Sequence, residues 1–381
     1  MVISYCFASP EGDVPVDDAT LERPFILRPF ENHPFMALGD YFSAVRDFIL
    51  HDKGKQLVHL LTHIWDKKVE LEDIGKVIIR YEKYGSLYQI VSVEVFWQDR
   101  QIKFAVSTAI SNEAKETLGR EFDIIQHLYY QKGLPYIPRA YYKYMIGLQN
   151  KEMTETILMT MSQWFENYHE WHFSRDDNNV EHILIWDMEG YRFASDYEAD
   201  EIIRQSSKIL TLYYNSDNYC RIYPWHHGAG DFIVKTGDES IDVRLVTIRG
   251  YEPIAFPNNE EKADVLKALI LFFFDTTIKM RLDKYEGVGE TYWAGSSVLK
   301  AVLEGFLDAL KIKDLEGDLS GLKIEDVIDK LMSFDKDGIE ALFSLCIDQY
   351  SMHDPSDYEV IQTHFKNHIS ELHQVFQNYL K

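Results

Sequence analysis

Between positions 76 and 106 the apolar residues fall on every second place, and a period of two commits a chain to pleated strands with one face buried. Val77, Ile79 and Tyr81 lead to a break at Gly85, after which Val91, Val93, Val95 and Trp97 alternate with Ser92, Glu94 and Phe96. Gln98-Asp99-Arg100-Gln101 is a polar turn, and Ile102, Phe104 and Val106 continue on one face of a third strand, so an antiparallel meander is expected. From about 113 to 131 the period becomes helical. Leu118, Phe122, Ile125 and Leu128 form a stripe, the acidic first turn suits the helix dipole, and Gly133 and Pro135 end the helix. Strand-like runs at 141–146 and 156–161 precede an aromatic, polar connection, SQWFENYHEWHFS, read as a hinge between lobes.

Upstream, residues 1–40 hold five of the eleven prolines, which argues against regular helix and for an extended or irregular lead-in. Phe42, Val45, Phe48 and Ile49, then Leu57, Leu60, Leu61 and Ile64, recur at helical spacing on either side of Gly54, predicting two short helices. Beyond the hinge the pattern is mainly helical: 199–214, 260–282, 296–310, 324–332, 338–347 and 358–379. One hairpin interrupts it, 232–235 and 241–248 around Thr236-Gly237-Asp238-Glu239-Ser240. Three regions follow: 1–74, a proline-rich arm with two short helices; 75–161, a sheet with one helix; and 162–381, a helical lobe interrupted by 222–248.

A chain of 381 residues, 46% hydrophobic, can bury a sizeable core, as two domains or one large two-lobed one. Its 62 acidic and 39 basic residues give a net charge of -23, which repels a phosphate backbone and argues against nucleic acid as partner. The three cysteines are far apart and lack CxxC spacing, so a reducing compartment is expected without a disulfide framework. The N-terminus lacks the basic start and apolar run of an export signal, and ALILFFF at 268–274 is far shorter than the roughly 20 residues needed to span a bilayer. The expectation is a soluble, cytoplasmic protein with no membrane partner.

The segment IYPWHHGAGDFIV, at 222–234, concentrates chemistry: His226 and His227, then Gly228 and Gly230 around Ala229, then Asp231 entering a strand. Paired glycines permit positive φ and close approach to a ligand, and equally an ordinary tight turn. With the preceding order of strand pair, third strand, helix bearing Glu121, further strands, hinge and helix, the chain resembles the protein-kinase-like fold of the aminoglycoside and choline phosphotransferases over roughly 75–310. The resemblance implies an α+β, two-lobed fold with a small antiparallel-sheet N-lobe and a mainly helical C-lobe. It implies ATP and magnesium as cofactors if any nucleotide binding is retained.

The family's catalytic loop carries a histidine or similar residue, an aspartate base two places on and a magnesium-holding asparagine five beyond that. Aligned on Phe232-Ile233-Val234, these positions fall on Pro224, His226 and Asp231. Asp231 keeps the oxygens of a metal ligand, whereas His226 or His227 could only imitate the base. The phosphate-holding lysine falls on Ser107, and its glutamate partner is retained as Glu121. Lys103 shares a strand face with Ser107 but lies roughly 13 Å away, a poor substitute. The second metal aspartate falls at Thr247, Asp242 sitting five places early, and the glycine loop is reduced to Gly85.

Losing the lysine and a metal carboxylate should be severe for a reaction that rests on positioning and charge neutralisation around a γ-phosphate. The leading reading is therefore a kinase-like protein without kinase activity, binding or regulating a small molecule or a protein. The alternatives are a phosphotransferase-like enzyme with rearranged chemistry toward a small hydroxyl substrate, Asp231 holding a metal and His226 or His227 acting as base, and an unrelated α+β interaction protein. The pairs His59/His63, His169/His172 and His364/His368 have metal-compatible spacing, but none is HExxH. No GxSxG elbow occurs.

Overall fold

The period-two stretch forms the three expected strands, within a computed structural model that describes all residues except 10, 29–30, 85–86, 151–152, 188–189, 238–239, 255–264, 354 and 381. The chain is mixed α+β and divides into two units, Met1–Glu166 and Asn167–Lys381.

The first unit runs β1 (Val2–Phe7), β2 (Val14–Pro15), α1 (Asp18–Leu21), β3 (Pro24–Arg28), β4 (Glu31–Ala37), α2 (Leu38–Ile49), α3 (Lys55–Trp65), β5 (Lys76–Tyr84), β6 (Gln89–Trp97), β7 (Arg100–Ala109), α4 (Asn112–Lys132), β8 (Ala140–Asn150) and β9 (Met153–Gln163). Its main sheet has the order β2-β1-β5-β6-β7-β9-β8, antiparallel except where β1 joins β5. The lead-in, expected to be extended or irregular, contributes two strands to the sheet, and β3 and β4 pair as a separate hairpin.

Alternation decides which face is dry. Val77, Ile79, Val91, Val93, Val95, Phe104 and Val106 share one face and are fully buried. Tyr41, Phe42, Val45 and Phe48 of α2 and Leu57 and Leu61 of α3 pack in the same core. Each such side chain contributes ~1.5–3 kcal/mol by leaving water. The opposite face carries Ser107 and Ala109, and Ala114 and Leu118 of α4 pack there against Ala109 and Leu158. That helix begins with the Ser111 hydroxyl accepting from the Ala114 N–H at 3.2 Å and ends at Gly133 in the left-handed region.

The second unit opens with β10 (His169–Arg175), β11 (Glu181–Asp187) and β12 (Gly190–Phe193), where the sequence suggested a hinge and then helices. His169, Trp171 and Phe173 alternate with Glu170, His172 and Ser174, and His172 and Ser174 are buried as well as Trp171 and Phe173. Trp171 and Phe173 pair across to Ile185 and Ile183. Then follow α5 (Asp196–Tyr213), β13 (Cys220–Ile222), β14 (Phe232–Thr236), β15 (Ile241–Leu245), β16 (Tyr251–Pro253), α6 (Val265–Lys279), β17 (Leu282–Lys284), β18 (Thr291–Trp293), α7 (Ser297–Glu316), α8 (Ile324–Met332), α9 (Lys336–His353) and α10 (Pro355–Tyr379). The sheet order β12-β11-β10-β14-β15 joins the expected hairpin to the strands not foreseen.

The run at 268–274 is a buried helix, as expected. On α6, Phe273 packs at a tilt against Phe306 of α7, and Phe274 stacks with Phe343 of α9 and Phe376 of α10. No helix among the described residues is long and apolar enough to cross a membrane.

Candidate functional site

The segment 222–248 belongs wholly to the second unit. After β13 the chain passes a cis Tyr223–Pro224 bond, reaches His226 in extended conformation, makes a 3-10 turn at His227–Ala229 and enters β14 through Gly230 and Asp231. Gly230 holds φ +65°, and a Cβ there would lie 2.8 Å from the Glu170 carboxyl carbon. A Cβ on Gly228 would lie 2.6 Å from Cγ of Lys284. Both glycines therefore serve close packing, one of them also a left-handed backbone.

Asp231 is completely buried and organises the loop. Its carboxylate accepts the His226 N–H at 2.8 Å and two bonds from the Arg249 guanidinium, at 2.5 and 2.8 Å. Its carbonyl accepts from the Val246 N–H at 2.8 Å, tying the loop to the end of the hairpin. A forked guanidinium on both oxygens is the strongest charge-assisted geometry open to a carboxylate, and with the His226 N–H it takes three of about four lone-pair sites. Asp231, the expected metal ligand, is thus paired with an internal cation. Among the described residues no group of three histidine, cysteine or acidic side chains could hold a metal ion.

The two histidines differ. The Nδ1 of His226 accepts from the Gly228 N–H at 2.9 Å, which leaves the ring proton on Nε2, 3.6 Å from Oδ2 of Asp357. Asp357 is itself buried and lies 3.3 Å from Nζ of Lys279. Burial pushes its carboxyl upward, but His226 and Lys279 outweigh that and hold it below the usual aspartate range.

His227 is 2% exposed and sits among Trp171, Trp225, Phe232 and Phe173, with Trp171 nearest at 4.5 Å between ring centres. Neither ring nitrogen makes a well-formed hydrogen bond among the described residues, and the same holds for the Trp171 indole nitrogen. Burial foremost, then the nearby His226, His172 and Lys279, depress its pKa well below the ordinary value. A neutral imidazole enclosed by rings has no open path to an acceptor hydroxyl.

Thr247 is half-buried two places beyond β15 and two before Arg249, so its segment returns to Asp231. Asp242 lies at the far end of the hairpin, accepting from Tyr168 at 2.5 Å and pairing with Arg244. In the first unit, Ser107 is half-buried on β7 between Ile90 and Thr160, on the face where α4 packs. Glu121, one turn beyond Leu118 on α4, is 5% exposed. Lys103 is engaged by Glu82 at 3.0 Å and lies 4.1 Å over the Trp164 ring. Gly85 lies outside the described residues.

Sequence reasoning missed Arg249, Lys279, Asp283 and Asp357. Asp283 is fully buried, lies 3.3 Å from Nδ1 of His172 and accepts the N–H groups of Phe173 and Lys284 at 2.8 and 2.7 Å. The His364/His368 pair is structural: buried His368 contacts Thr277 at 3.1 Å and Arg281 at 3.2 Å, and His364 stacks on Trp293. No family model and no curated protein matches this chain.

Proposed function

We propose that this chain is a catalytically degenerate member of the kinase-like phosphotransferase fold that acts by binding, as a regulatory or carrier protein, and not by transferring phosphate. The observation that carries the reading is the Asp231–Arg249 pair. At the position where an active family member holds magnesium, the chain keeps a carboxylate and neutralises it with its own guanidinium. The other charged positions agree: a hydroxyl at Ser107, a threonine at 247, and the nearest lysine on that strand face already engaged by Glu82. The run of strand pair, third strand, glutamate-bearing helix and two further strands in the first unit supports the fold side of the reading.

The rearranged-enzyme alternative is disfavoured by the two histidines. His226 spends one nitrogen on Gly228 and turns the other toward Asp357, and His227 is enclosed. Thermal shift with ATP, with and without magnesium, tests the proposal. Magnesium should add nothing to any shift the nucleotide produces. A magnesium-dependent shift that vanishes in Asp231→Asn would place a metal on Asp231 and overturn it.

A further inference from the structure

We draw no further inference here: the strongest candidate, the aromatic face of the β11–β12 hairpin in the second unit, where exposed Trp186 and Tyr191 pair across the strands beside exposed Phe193, is an unpartnered apolar sheet face, and nothing in the structure shows what covers it.

Discussion

Arg249 determines what Asp231 can be. With the guanidinium present, a carboxylate with no solvent exposure is neutralised; without it, a buried charge has only the His226 N–H. Arg249→Ala should therefore cost about 3 kcal/mol in urea unfolding, whereas Asp231→Asn, which strands a guanidinium that is 24% exposed, should cost less. The reverse order would mean that something other than Arg249 holds the carboxylate. His227 gives the opposite sign. Its nitrogens make no well-formed hydrogen bond, only a weak approach to the Met280 backbone within an aromatic enclosure, so His227→Phe should be neutral or stabilising by ~1 kcal/mol at pH 7. A loss instead would reveal a polar partner that the ring serves. The pH dependence follows from the same burial. His227 and His368 both have folded-state pKa values well below the ordinary 6.5, so below pH 6.5 the unfolded chain binds more protons than the folded one. Their contribution is complete above 6.5 and is lost as pH falls, by up to ~1.4 kcal/mol per pH unit for each group. Removing His227 should flatten that limb in unfolding measured from pH 7 to 5. At this scale the sequence was half legible: the loop chemistry of His226, Gly228, Gly230 and Asp231 stands in one short run. Arg249 and Asp357 were invisible because tertiary folding alone brings them to it.

Among the elements, two glycines carry consequences beyond their own position. Gly305 sits inside α7, where propensity is against it, because a Cβ would fall on the Arg204 carbonyl oxygen of α5. Gly305→Ala should push these helices apart and cost ~1–3 kcal/mol in denaturant unfolding, the range for overpacking. No loss would mean that the two helices separate without penalty. Gly230→Ala combines a left-handed φ with contact on Glu170 and should cost at least ~1 kcal/mol, with the tryptophan fluorescence near Trp171 and Trp225 altered. The meander and α4 were readable because apolar period, turn residues, Ser111 and Gly133 all agree. Strand β10 was not: Trp171 and Phe173 alternate with Glu170, His172 and Ser174, but the run is short and its polar members His172 and Ser174 are buried too, which composition does not foretell.

At the scale of the molecule, the chain combines a net charge of -23 with a buried Asp231 that its own Arg249 neutralises. Such a charge repels nucleotide phosphates, and the Asp231 carboxylate, the expected metal ligand, is paired with Arg249. The meander, α4 and the β14–β15 hairpin were legible from periods and turns, whereas β1, β10, β11, β12 and the guanidinium paired with Asp231 were not. The most direct measurement is phosphate release from ATP with excess magnesium, with acceptor hydroxyl compounds present, by the full chain and by Asp231→Asn. The account predicts no release above the uncatalysed background by either protein. Multiple-turnover release by the full chain that is abolished in Asp231→Asn would contradict it.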